Sequence, residues 1–177
     1  MSISGRGFRY DKGDLALIKE VFADPLFLKF MQPRNKCRAT SKGDLEMRLL
    51  SLARQSGVRH GGLRVMCSQD DNEPVGICGV LTNSNSFRLP EISVYIRRSC
   101  RSQGFARRCI ELVVCDFNGQ SLGAFVDYDN DRCQRLMDSI GMIRSGIAYH
   151  SRLEREGLLF VGTVEGGKIS TFSAPKD

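Results

Sequence analysis

Residues Glu91 to Ala106 read EISVYIRRSCRSQGFA. Ile92, Val94 and Ile96 alternate with Ser93 and Tyr95, the two-residue period of a half-buried strand. A short basic loop follows, then a turn with the pattern R-x-x-G-x-A made by Arg101, Gly104 and Ala106. Beyond the turn, Phe105, Cys109, Val113 and Phe117 share one face of a helix predicted over Gly104 to Phe117. A strand that runs into a helix start has the makings of an anion site. The first helical turn carries unbonded backbone N–H groups and partial positive charge. A glycine and a small residue let a phosphate approach those groups, and Arg101 adds a charged donor at the mouth. The same residues equally fit a plain strand-to-helix turn in which Gly104 only eases the backbone.

On the N-terminal side of this stretch, Leu63, Val65 and Cys67 alternate with Arg64 and Met66, and Val75 to Leu81 reads as a second strand. Turns over Asp70 to Pro74 and Asn83 to Ser86 make a three-stranded meander. Earlier residues read as helical. Asp14 is the expected cap of a helix burying Leu15, Ile18 and Phe22, and Asp24-Pro25 starts another. Ser41 and Asp44 cap a third that carries Leu45, Leu49 and Leu52 and stops at Gly57. On the C-terminal side, Leu122 to Asp127 is a strand. Asn130 to Ile140 is a helix with Cys133, Leu136, Met137 and Ile140 on its apolar face, ended by Gly141. Gly146 to His150, Leu158 to Val164 and Lys168 to Phe172 are strands, with a hairpin turn at Gly166-Gly167. The pattern predicts an α/β (α+β) mixed sheet with packed helices. The first few residues and Ala174 to Asp177 are expected to be loose.

A length of 177 residues suits one domain with a substantial core, and 41% hydrophobic with 26% charged residues is ordinary for a soluble protein. No apolar run approaches a membrane span, and Met1 to Tyr10 lacks the apolar core of a signal peptide, so a cytoplasmic protein is expected. Seven cysteines with no C-x-x-C pair, and only two histidines, His60 and His150, argue for reduced thiols and against a metal site. The net charge of +6 is uneven: Arg97, Arg98, Arg101, Arg107 and Arg108 fall together with no acid among them. Such a field suits phosphate groups or nucleic acid.

The order E-I-x-x-x-I, basic loop, R-x-x-G-F-A, apolar helix resembles the central motif of the GNAT superfamily of N-acetyltransferases. Asn130, Cys133, Leu136, Gly141 and Met142 follow as N-x-x-C-x-x-L-x-x-x-x-G-M, similar to that family's second signature. The resemblance covers about Pro74 to Ile143 well. The N-terminal helices look more loosely like the ribosomal-protein and spermidine N-acetyltransferase branch. The resemblance implies a mostly antiparallel sheet with a splayed central parallel pair and flanking helices, in a single domain over 1–177. Residues 1–60 would form a helical acceptor-side region, 63–145 a cofactor-binding core and 146–177 the C-terminal strands.

It implies acetyl-CoA as co-substrate, with no metal. Val94, Tyr95 and Ile96 would meet the pantetheine arm. Arg101, Ser102, Gln103, Gly104, Phe105 and Ala106 would wrap the pyrophosphate, with Arg107 and Arg108 near the 3′-phosphate. Asn130 would bond the pantetheine or position the thioester. A neutral amine would attack directly, helped by Glu91 as base, acting directly or through water. Met137 stands where many members carry a tyrosine acid, leaving Tyr95, Tyr128 or Tyr149 as substitutes, of which Tyr149 is the working choice. Cys100 has no histidine nearby in sequence for a covalent route, and His60 could lie at the acceptor mouth. The acceptor would be a small-molecule or peptide amine, including a protein N-terminus, or an RNA-linked aminoacyl group. The chain would be a monomer or homodimer with no membrane partner. The competing reading is a CoA-binding or nucleic-acid-binding module on the same fold.

Overall fold

The structure is a computed structural model that describes residues 2–9, 11–31, 43, 47, 51, 62–82 and 88–170. Chain order begins β1 (Ile3–Arg6), α1 (Lys12–Ala23), α2 (Pro25–Met31), β2 (Gly62–Ser68), β3 (Pro74–Leu81) and β4 (Glu91–Ile96). It continues α3 (Phe105–Val114), β5 (Ser121–Val126), α4 (Asp131–Ser139), β6 (Ile143–His150), β7 (Arg155–Glu165) and β8 (Lys168–Ser170). Single 3-10 turns at Arg98–Cys100 and Cys115–Phe117 flank α3. The strands form one eight-stranded sheet in the order β1-β2-β3-β4-β5-β7-β6, with β8 added on β7. Every neighbouring pair is antiparallel except β4 and β5, which are parallel. This is the mixed sheet that the residues predicted.

The strand alternation sorts side chains onto two faces. On one face Leu63, Val65, Cys67, Ile77 and Tyr95 pack against Leu17 and Val21 of α1. On the other, Cys78, Val80, Ile92 and Ile96 join Phe105, Cys109, Ile110 and Val113 of α3 and Met137 of α4 in the larger cluster. Burying these side chains is worth about 1.5–3 kcal/mol each, so the sheet is held between two helical layers.

Three expectations about the N-terminal part change. Ile3–Arg6 is a strand on β2, not a loose end. Four residues are too few to show a period, and the strand forms because the outer edge of β2 offers unpaired backbone groups. The cap of α1 is Asp11, whose carboxylate accepts the Asp14 N–H at 2.9 Å. Asp14 lies inside the first turn, fully buried, and its carboxylate accepts from Arg6 at 2.7 Å and from the Arg9 N–H at 2.6 Å. The buried stripe of α1 is Leu17, Ile18, Val21 and Phe22, while Leu15 is exposed.

Asp24-Pro25 does start a helix, with Asp24 Oδ1 accepting the Leu26 N–H at 3.0 Å. Gly166 and Gly167 both take positive φ, as a two-residue hairpin turn requires. The turn at Asn83 to Ser86 lies outside the described residues. So do Leu45, Leu49, Leu52, the stop at Gly57, His60 and Cys37. Gly43, Met47 and Ser51, from the predicted third helix, are helical.

Candidate active site

β4 and β5 meet at a single rung. Glu91 stands opposite Gly123, and the Gly123 N–H donates to the Pro90 carbonyl at 2.8 Å. No further rung joins the two strands, whereas β4 pairs with β3 along its whole length, from Leu81–Glu91 to Gly76–Ile96. The gap opens into a cleft of about 960 Å³. Val94, Tyr95, Ile96, Arg101, Ser102, Gly104, Phe105, Ala106 and Asn130 all line it. Gln103 does not; its amide donates to the Ser99 carbonyl at 3.0 Å.

The helix start at the mouth is built as the turn pattern suggested. Gly104 is the N-cap of α3, left-handed at φ 78°, and no side chain caps the helix. Ser102 is also left-handed, at φ 62°. A Cβ at Gly104 would meet nothing within 4 Å, so glycine is there for its backbone angle and for the open space in front of the helix. Residues in alternating hands beside an uncapped helix turn several N–H groups toward one point, which is how backbone binds phosphate. These residues fit the pyrophosphate of CoA.

Arg101 lines this cleft, but its guanidinium is held by other parts of the protein. Its Nε donates to the Ile96 carbonyl at 3.0 Å, its Nη2 pairs with Asp24, and it lies 5.5 Å from the Tyr95 ring centroid. The loop is therefore shaped by Arg101 rather than charged by it. The arginine cluster is neutralised in the same manner elsewhere. Arg97 pairs with Glu20 at 2.7 Å, and Arg107 with Glu111 at 2.9 Å. In sequence no acid stands among these arginines; the fold brings Glu20 and Asp24 to them from α1 and its end.

Tyr95 shares the α1 face of the sheet. Its hydroxyl donates to Asp24 Oδ2 at 3.3 Å and its ring packs edge-on against Phe27 at 5.4 Å. Burial, together with the Asp24 carboxylate, pushes the phenol up to about 12.

Glu91 sits at the rung where the strands part, 9% exposed. The period of two places it on the face of Tyr95. His150, at the end of β6, lies beside it, with Nε2 3.5 Å from Oε1. His150 is 5% exposed, accepts the Leu153 N–H on Nδ1 at 3.3 Å, and meets Phe125 edge-on at 4.9 Å. Beside it, Arg155 bonds Asp127 at 2.7 Å and the Lys29 carbonyl of α2 at 3.2 Å.

Sequence reading gave His150 no role in the site, naming it only as one of two histidines. Its signal was only its rarity. Tyr149, the working choice for the acid, is 52% exposed and is not among the residues lining the cleft. Neighbours on a strand face opposite ways, so turning His150 inward turns Tyr149 outward.

Asn130 caps α4, accepting the Cys133 N–H at 3.2 Å, and Met137 is core. Burial pushes Cys109 up to about 12 and Cys133 to about 11, which makes both poor nucleophiles. Among the described residues the cysteines are free, no cluster suits a metal ion, and no helix is long and apolar enough to cross a membrane.

A family model for the acetyltransferase (GNAT) domain matches residues 6–143. Among solved structures, the ribosomal-protein-S5-alanine acetyltransferase of Vibrio fischeri aligns with a TM-score of 0.66 at 13% identity, covering 95% of this chain and 96% of that one. RimL, a ribosomal L7/L12 alpha-N-protein acetyltransferase in complex with coenzyme A, aligns with a TM-score of 0.64 at 12% identity, covering 93% and 96%. A mutant of the spermidine N-acetyltransferase SpeG from Vibrio cholerae gives 0.62 at 15%, covering 90% and 92%. At these identities the likeness is one of fold. No curated protein matches the sequence.

Proposed function

The chain belongs to the GNAT acetyltransferases, enzymes that move an acetyl group from acetyl-CoA to an amine, and from that premise we propose how its own residues divide the work. The edge of β4 over Val94 to Ile96 that β5 leaves open, with only the Ile96 carbonyl held by Arg101, takes the pantetheine arm, because an amide-bearing chain can supply the rungs that β5 does not. The loop from Arg101 to Ala106 takes the pyrophosphate on the uncapped start of α3. Asn130, at the other wall, offers its side-chain amide while its oxygen caps α4. The observation that carries this reading is the coincidence of an open strand edge and an open helix start in one cleft.

Acetyl-CoA supplies the activated acyl carbon. The chain must supply a neutral amine within reach of it, which means accepting one proton from an ammonium. Glu91 is placed for this at the narrow end of the splay, on the α1 face. The wall there is aromatic: Phe22 and Phe27 stack edge-on at 5.9 Å, and Phe125 of β5 also lines the cleft. Together with the net charge of +6, that wall favours a small-molecule or peptide amine over a polycation. Pairing of Arg97, Arg101 and Arg107 with acids leaves less free charge for an RNA-linked acceptor. The thiolate leaves unaided by Tyr149, which faces outward.

Thermal unfolding with and without acetyl-CoA tests the cofactor site. Wild type should show a saturable rise in Tm. Gly104→Glu has room for its side chain but carries a backbone strain of about 1 kcal/mol, and its carboxylate stands where phosphate is expected. It should fold and lose the rise. A wild type unmoved by millimolar acetyl-CoA, or a Gly104→Glu protein that responds equally, would refute the assignment.

A further inference from the structure

The proton acceptor of the proposed reaction is a carboxylate in an apolar recess, and such a group needs a reason to stay charged. Phe125 closes one side of it, and Glu91 is itself almost wholly covered. Desolvation disfavours the charged form of a buried carboxyl. A protonated Glu91 could not take a proton from an ammonium. Something in the recess must favour the anion and aim it.

His150 has the geometry for this. A neutral imidazole carries one proton, and the Leu153 N–H donating to Nδ1 leaves that proton on Nε2. Nε2 is the atom that faces Glu91 Oε1 at 3.5 Å. The ring is fixed edge-on against Phe125 and held at the end of β6, whose last rung pairs His150 with Arg155. The other charged groups lining this part of the cleft are Asp127, which Arg155 neutralises at 2.7 Å, and Arg152 in the turn after β6. Tyr95, on the same face of β4 as Glu91, is occupied with Asp24.

We propose that His150 is a positioning residue for Glu91: its Nε2–H, set by the Leu153 N–H on the opposite nitrogen, holds the carboxylate ionised and turned into the cleft. The proposal rests on Glu91 as the proton acceptor and adds the group that keeps it one. His150 neither takes nor gives a proton in this arrangement. The ammonium proton goes to Glu91 and from there to solvent.

The test needs no acceptor. With only two histidines in the chain, long-range 1H–15N spectra of the protein at pH 8, with His60→Gln to assign them, read the His150 tautomer directly. The expected result is the Nε2–H form; an Nδ1–H form would overturn the proposal. The second readout is the Glu91 carboxyl in 13C-labelled protein, assigned with Glu91→Gln. In His150→Phe, which keeps the packing on Phe125 and removes the donor, the Glu91 midpoint should rise by about one unit, a tenfold change in proton affinity. In His150→Gln, whose amide reaches the Nε2 position, it should stay near the wild-type value. A midpoint unmoved in His150→Phe, or moved equally in both variants, would mean that His150 only fills space. Failure of the acetyl-CoA assignment would appear separately, as a missing Tm response in wild type.

Discussion

Asp24 ties together segments far apart in the chain. Its carboxylate caps the start of α2, accepts from Tyr95 on β4, and pairs with Arg101 of the loop before α3. Burial works against its charge, yet the Arg101 hydrogen bond, the Leu26 N–H and the Arg101 charge together hold it below the ordinary carboxylate range. A carboxyl depressed in the folded state stabilises the protein above its unfolded value of about 3.9. That contribution disappears as pH falls through the lower folded value. Asp24→Asn should therefore lose about 3 kcal/mol at pH 7, and urea melts should show its deficit against wild type shrinking as the pH is taken below about 4. An equal deficit at pH 7 and pH 3 would mean that the loss is one of packing. Sequence showed Asp24 only as the residue before a proline. Its pairing with Arg101 spans 77 positions and depends on which helix covers which strand, which no local pattern encodes.

Elements were read more completely than contacts. β2 to β5, α3, α4 and the Gly166-Gly167 hairpin all announced themselves, because each has a period or a terminator of its own. β1 has neither, and it exists through its partner. For the candidate cleft, the strand, the turn and the second helix were legible, whereas the partners of Arg101 and the outward turn of Tyr149 were not. β6 explains the second miss. It is an edge strand whose outward side chains include Ile147 and Tyr149, so polarity does not mark its inner face. The end of α4 offers a test of two roles in one residue. Asn130→Ala should lower stability by about 1 kcal/mol through the lost cap. Asn130→Asp keeps the cap oxygen and gains charge at a helix start, so chemical denaturation should find it as stable as wild type. Its acetyl-CoA-induced Tm rise should nevertheless shrink, because the two amide donors are gone. A full response in Asn130→Asp would reduce Asn130 to a cap.

The two helical layers divide the labour. α3 and its loop carry the proposed anion site, while α1 and α2 wall the side on which Glu91, Tyr95, Phe125 and His150 stand. Arg155 fastens α2 to the sheet through the Lys29 carbonyl, so both layers meet at the cleft. If acetyl-CoA lies along β4 as proposed, the amides of β4 that point toward β5 should exchange with solvent readily in the free protein and slow on its addition. Mass-spectrometric exchange of the Glu91–Ile96 segment would read this, and unchanged exchange at saturating acetyl-CoA would place the ligand elsewhere. The single Glu91–Gly123 rung has a mechanical counterpart. Under tension across the strands, β1 to β4 and β5 to β8 are two plates joined along a seam by one stitch, with the apolar layer beneath α3 as a broad adhesive. A molecule laid in that seam and bonded to both margins would act as a splint, and the load needed to part the plates would rise whenever it is in place.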